Sequence, residues 1–177
     1  KSLNEILISF ISLPKQFTLR NYAGAMEKIN YLRTFGNTLF LTVGSVLLTL
    51  IVCSLAGYKI QRTRSKISKI TKSYMAMVPF AVIMVPLSQI LGKLGINNNL
   101  PGLLFVYCAM YIPMMTFVYS GYCDSISEQL DEAATIDGCN QFQVFFHVIL
   151  PLTKPILVTM AVLAAVWTWN DLLVALI

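Results

Sequence analysis

Charge is scarce in this sequence. Asp, Glu, Lys and Arg make up 12% of the 177 residues, about half of the ~25% with which a soluble domain covers its wet surface. The apolar class reaches 56% and mean hydropathy is +0.70, so an ordinary soluble domain is excluded. Histidine is nearly absent: His147 stands alone and cannot build a zinc site. The four cysteines, Cys53, Cys108, Cys123 and Cys139, contain no CxxC pair, which points to neither a disulfide framework nor a thiolate metal centre. There is no Gly-x4-Gly-Lys-Ser/Thr phosphate loop, so no nucleotide chemistry is expected of the chain itself. The net charge of +5 would suit nucleic acid, but the basic residues flank apolar runs instead of forming a recognition module. No nucleic-acid partner is expected.

What the sequence has is long apolar runs. Positions 34–58, 73–92 and 94–123 contain no charge, and a fourth run begins at Pro155 and meets its first charge at Asp171. Crossing about 30 Å of hydrocarbon at about 1.5 Å per residue takes about 20 apolar residues. The expected fold is therefore an all-α polytopic membrane protein with spans at 35–58, 73–92, 101–123 and 155–177. Pro79 and Pro86 should kink the second span and Pro113 should interrupt the third. Gly44, Ser45 and Ser54 allow close helix contact in the first. Gly95 and the asparagines of 93–100 mark a turn. The chain opens on Lys1 with no leader pattern and stops at Ile177 inside an apolar stretch, so it is expected to be part of a longer protein.

Orientation follows from basic residues near the membrane. The link 59–72 carries six Lys and Arg in fourteen residues and is expected in the cytoplasm. With four spans, 124–154 shares that side, and residues 1–34 share the other with 93–100.

The link 124–154 is far longer than two neighbouring helices need. Ser125 and Glu128 have capping-box spacing, Gly138 can stop a helix in the left-handed cap geometry, and Asn140 with Gln143 repeats the cap before an apolar run. Pro151 and Pro155 should end that run. Two short helices joined at a glycine are expected. The link holds five acidic residues, Asp124, Glu128, Asp131, Glu132 and Asp137, against Lys154, a balance that suits docking of a cytoplasmic protein better than anionic lipid alone.

The run Glu132-Ala133-Ala134, three residues, Gly138, nine residues, Val148, one residue, Leu150-Pro151 resembles the signature loop of ABC importer permease subunits. The similarity extends from about Phe17 to the end, through Phe17-Thr18-Leu19, Asn21-Tyr22, Asn37-Thr38-Leu39, Leu55-Ala56 with Tyr58 and Arg62, Asp137-Gly138, Phe145-Phe146 and Trp169-Asn170-Asp171. These segments are similar to the carbohydrate-uptake branch, the smaller membrane subunit of the maltose permease pair included. Ser127 and Gln129 depart from the commonest residues of the loop, and Ala56-Gly57-Tyr58-Lys59 from Ala-Ala-Tyr-Ala.

The resemblance implies part of a type I, maltose-permease-like transmembrane domain in the bacterial plasma membrane. It implies six spans, one before Lys1 and one after Ile177, with 1–34 extracytoplasmic. Loop 124–154 would couple to a cytoplasmic ATPase dimer that holds ATP and Mg, leaving this chain non-enzymatic and without a bound cofactor. The further partners implied are a second permease subunit, an extracytoplasmic solute-binding protein and a carbohydrate substrate. Glu132, Ala133, Ala134, Asp137, Gly138, Phe145, Leu150 and Pro151 would form the coupling element, with Phe145 and Phe146 either docking on the ATPase or packing on the permease's own helix ends.

Polar residues inside the spans, Asn37, Gln89, Tyr107 and Tyr111, are candidates for the substrate pathway. Asp171, about 24 Å along the last run at about 1.5 Å per residue, is a further candidate, since an acid in hydrocarbon marks function. Trp167, Trp169 and Asn170 around it fit either an outer-interface belt or a sugar-binding platform. A membrane enzyme would need clustered catalytic groups, and the spans offer no histidine and only Asp171 as an acid. The alternatives kept are an importer for a phosphorylated polyol, amino acid or peptide, and a non-transport scaffold.

Overall fold

A computed structural model describes residues 20–63, 65, 68, 70–72, 86, 89–95 and 99–171. Most of the expected second span, 73–92, lies outside the described residues, as do 1–19 and 172–177. The chain divides into two compact units, Lys1–Thr38 and Leu39–Ile177.

In the first unit, helix α1 (Arg20–Lys28) ends at Asn30, whose φ of 47° is left-handed, a conformation that asparagine tolerates better than most residues. The amides of Arg33 and Thr34 then bond to the Asn30 carbonyl, and α2 (Tyr31–Arg62) begins. The Tyr31 and Phe35 rings stack at 5.8 Å in its first turn.

Helix α2 is longer than the expected span 35–58, because the charged and polar residues at its ends continue the helix beyond the apolar run. Its buried positions are Leu41, Thr42, Ser45, Thr49, Cys53, Ser54 and Gly57, mostly small and recurring at helical spacing. Leu47, Leu48, Ile51 and Val52 point outward. Small residues inside and large apolar ones outside is what a lipid solvent selects, since close backbone approach there replaces the hydrophobic drive.

Helix α3 (Leu100–Asp124) is capped by Asn99: its carboxamide oxygen accepts from the Gly102 amide at 2.6 Å, and Pro101 occupies the first turn. Pro113 does not interrupt it; the helix is continuous through that residue. Leu104, Cys108, Tyr111, Met115, Tyr119 and Cys123 form its buried stripe, at the three- and four-residue spacing of one helix face.

The link then folds as α4 (Gln129–Ile136), α5 (Gln141–Val144), a π-turn over Phe145–Ile149 and α6 (Leu150–Leu152). Three local expectations are corrected here. Ser125 caps nothing downstream: its hydroxyl donates back to the Tyr122 carbonyl at the end of α3, and α4 starts at Glu128 without a side-chain cap. Pro151 does not end the second run, since the helix continues through it to Leu152, directly after the π-turn. The break falls at Thr153, with a 74° bend into α7 (Lys154–Asn170). The described helix therefore starts one residue earlier than the expected span 155–177 and stops at Asn170, with Asp171 already extended.

Among the described residues two helices, α2 and α3, are long and apolar enough to cross a membrane, or three if the bent pair counts as one.

Gly57 sets the α2–α3 approach. A Cβ there would stand 2.9 Å from the Tyr119 ring, 3.1 Å from the Thr116 carbonyl oxygen and 3.2 Å from the Ser120 nitrogen, so backbone, not a flexible tip, stands in the way. Gly121 has nothing within 4 Å. Gly57→Leu should lower stability in detergent by at least the ~1–3 kcal/mol of core overpacking, while Gly121→Leu should leave the melting temperature unchanged. Equal melting temperatures for the two variants would contradict this packing.

Candidate functional site

The loop after α3 is held to the helix bundle at several points, and the main one is Arg62 at the end of α2. Both Nη atoms donate to the Ile126 carbonyl at 3.2 Å, and Nε forms an ion pair with Asp131 on α4. The two side chains are 14% and 18% exposed, so the charges attract in partly desolvated surroundings, where a pair is worth more than at the surface. The guanidinium also lies 6.0 Å over the Tyr58 ring, and Tyr58 meets Phe145 at 5.4 Å. Lys59 donates to the Gln141 carboxamide oxygen at 3.3 Å, and Gln61 to the Asp124 carboxylate. Residues 58, 59 and 62 thus bind α4, α5 and the π-turn from a single helix face.

Inside the loop the turn is built as the sequence suggested. Gly138 has φ +89°, a region closed to side chains with a Cβ, and Cys139 bonds back to the Ala134 carbonyl at 3.0 Å. Asn140 and Gln143 form a reciprocal capping box: the Gln143 amide donates to Asn140 Oδ1 at 2.9 Å, and the Asn140 amide to Gln143 Oε1 at 2.8 Å. At the far end, the hydroxyls of Thr153 and Tyr119 share a buried hydrogen bond of 2.9 Å, which fastens the 74° bend to α3.

The predicted coupling residues divide by exposure. Glu132, Ala133, Asp137, Gly138 and Pro151 are exposed, and Leu150 is half-buried. Ala134 and Phe145 are buried, Phe145 against Tyr58 and edge-on to Phe146. Between the exposed ones stand Ile136, 86% exposed, and Phe142, 72% exposed, large apolar side chains that nothing in the described chain covers.

The candidates for the pathway converge in part. Tyr107 donates to an Asp171 carboxylate oxygen at 2.9 Å, and its ring stacks on Tyr111 at 5.9 Å. Tyr111 meets the Trp167 ring at 5.8 Å and accepts from the Thr168 hydroxyl at 3.2 Å, while Thr168 lies 3.4 Å from the Ser45 hydroxyl. One polar cluster therefore joins α2, α3 and α7. Asn170 faces outward and donates to the Val166 carbonyl, Gln89 is exposed, and Asn37 is half-buried in the first unit; none of these three has a described contact with the cluster. No group of three His, Cys, Asp or Glu gathers at metal-ligand range among the described residues.

Sequence reasoning did not single out Thr153 or Thr168, took Ser45 only as a small packing residue, and met Lys59 and Arg62 only within the basic link and the resemblance. Arg62 carried a usable signal, a base at helical spacing from Tyr58 at the end of an apolar run.

A known family covers most of the chain. Residues 50–177 match the model of the binding-protein-dependent transport system inner membrane component. A probable starch degradation products transport system permease protein of Thermoanaerobacterium thermosulfurigenes is 38% identical over 176 residues, 98% of this chain and 64% of that protein. The multiple sugar-binding transport system permease protein of Streptococcus mutans is 33% identical, covering 100% of this chain and 65% of the relative. The melibiose/raffinose/stachyose import permease protein of Bacillus subtilis is 34% identical, covering 89% and 59%. The chain thus spans somewhat less than two thirds of the length of these relatives. It belongs to the family of inner membrane components of binding-protein-dependent transport systems, and its described residues are mostly helical.

Lysine in place of Arg62 would keep the charge and lose the fork that grips a carbonyl and a carboxylate together. Arg62→Lys should raise amide hydrogen exchange over 126–137 by roughly ten- to a hundredfold, the worth of one charge-assisted hydrogen bond. Unchanged protection there would show that the loop is held by other contacts.

Proposed function

We propose that the chain is a permease subunit of an ATP-driven importer that moves a sugar or oligosaccharide across the bacterial plasma membrane. Loop 124–154 faces the cytoplasm and transmits the closing of a partner ATPase dimer to the helices. The observation that carries this reading is the combination found in the loop. It is fastened to α2 and α3 through Arg62, Tyr58 and Thr153, and it leaves Glu132, Ile136, Asp137 and Phe142 exposed on the outside. An element gripped on one side and bare on the other can take a push from a partner and pass it to a span.

Family membership and the names of the relatives support the same reading, since those names give permeases for starch degradation products (probable), for multiple sugars and for melibiose, raffinose and stachyose. In the complete importer a second permease subunit and an extracytoplasmic solute-binding protein complete the pathway. Glu132 offers its carboxylate to basic or polar groups of the ATPase, and Ala133 and Gly138 keep that face low enough for close approach. On the other side of the membrane, the buried Tyr107 and Tyr111 back Asp171 and the exposed ring of Trp167, an acid and an aromatic face suited to a polyhydroxylated solute.

Glu132→Arg should leave membrane insertion and subunit assembly intact and abolish solute-stimulated ATP hydrolysis by the complex. Normal stimulation in that variant would remove Glu132 from the coupling surface.

A further inference from the structure

Two cavities lie along one face of α2. The first, of about 210 Å³, is polar and is lined by Tyr58, Lys59, Arg62 and Thr63 of α2 with Thr135 and Gln141 of the loop; Asp131 also faces it. The second, of about 160 Å³, is almost wholly apolar and is lined by Leu50, Ile51 and Leu55 of α2 with Phe146, Leu150 and Leu157. The α2 positions in the two sets, 50/51, 54/55, 58/59 and 62/63, recur every four residues and form one continuous stripe. Their centres are about eight residues apart, or about 12 Å along the helix. Phe145 stands between them, packed on Tyr58 of the polar cavity and itself part of the apolar wall. A polar chamber at the end of a span, continued toward the membrane interior by a greasy groove, has the layout of a phospholipid headgroup and acyl chain.

The hydrogen-bonding inventory narrows the headgroup. Arg62 and Asp131 neutralise each other. Lys59 bonds only the neutral Gln141 carboxamide and has no carboxylate partner among the described residues, so the chamber carries one uncompensated positive charge. The Gln141 Nε2 donors are unspent among the described residues, since only its oxygen is engaged. The acceptors are equally specific. The Thr63 and Thr135 hydroxyls donate to the Lys59 and Asp131 carbonyls at 2.7 Å, which leaves their lone pairs open, and Asp131 Oδ1 is buried without a hydrogen-bond partner. One cation and amide donors suit a phosphate diester; neighbouring acceptors suit hydroxyls on the headgroup and give nothing to a bare acid. The basic composition of the sequence 59–72 as a whole favours anionic lipid near this end of α2.

We propose that a phospholipid with a glycerol headgroup sits along this face of α2. Its phosphate rests on the Lys59 ammonium and the Gln141 amide, its headgroup hydroxyls donate toward Thr63, Thr135 and Asp131, and one acyl chain fills the groove between Leu55 and Leu157. The lipid would wedge between α2 and the coupling loop, beside the Arg62 contact. Naming the leaflet as cytoplasmic rests on the orientation proposed above; the site itself does not.

The test is native mass spectrometry of the assembled transporter in mild detergent, offered equal amounts of phosphatidylglycerol and phosphatidylcholine with the same acyl chains. The wild type should retain phosphatidylglycerol with a roughly fivefold preference, the contribution of about one lysine at a membrane surface. Lys59→Glu should erase the preference, and Lys59→Gln carries the same comparison if the glutamate variant does not assemble. Leu55→Trp, which fills the groove and leaves the headgroup chamber intact, should lower retention of both lipids. Equal retention of the two lipids by the wild type, or an undiminished preference in the Lys59 variants, would overturn the site. So would cross-linking of Leu55→Cys to the second permease subunit, which would put protein where the chain is assigned. The readout needs no solute and no ATP, so failure of the sugar-import reading and failure of the lipid site give separate results.

Discussion

The guanidinium of Arg62 is the point on which the arrangement turns. Its fork closes on the Ile126 carbonyl with both Nη atoms and on Asp131 with Nε, so one side chain at the end of a membrane helix fixes both the entry to the loop and the first loop helix. Tyr58 and Lys59 on the same face add the π-turn and α5. Without that grip, the 31-residue link with its five acids would keep its later contacts through Phe145 and Thr153 but lose the one that fixes its entry and first helix. With it, the loop is fastened to α2, and small residues such as Gly57 let α2 lie close against α3.

A second junction works differently. At Thr153 the chain bends by 74°, and the bend is stabilised by hydroxyls and not by charge: Tyr119 with Thr153, and Thr153 with the Leu150 carbonyl. The π-turn just before it places Phe145 and Ile149 in the interior while leaving Phe146 and His147 outside. A π-turn inside helix is uncommon and is frequent at functional sites; here it turns Phe145 toward Tyr58 of α2 and leaves Phe146 on the outside. The loop is thus held by an ion pair at its start and by neutral hydrogen bonds at its end, which makes its first part the more sensitive to a change of charge.

Much of the local architecture was legible in the sequence. Charge-free runs located α2 and α3, because a helix in lipid cannot carry many ions, and the Asn140–Gln143 box and the Gly138 turn were readable because each depends on three or four neighbouring residues. Ser125 misled for the same reason: the spacing was right, but its hydroxyl had a nearer acceptor in the preceding helix. The loop's grip was not legible. Arg62 meets Ile126 across 64 positions, as Tyr107 meets Asp171, and no local pattern encodes a partner at that separation. The prolines were overread, since Pro113 lies in an otherwise intact helix and Pro151 in a run that continues past it to Leu152.

The central claim is that α2 and the loop move together. Nitroxide labels at Ile136→Cys on α4 and Val52→Cys on the outer face of α2, with the native cysteines replaced, report their separation by pulsed electron spin resonance in the assembled complex. The account predicts the same distance distribution in the nucleotide-free and ATP-bound states, while distances from either label to the partner permease change. A shift between Ile136 and Val52 on ATP binding would contradict it, because the loop would then be sliding over α2 instead of carrying it.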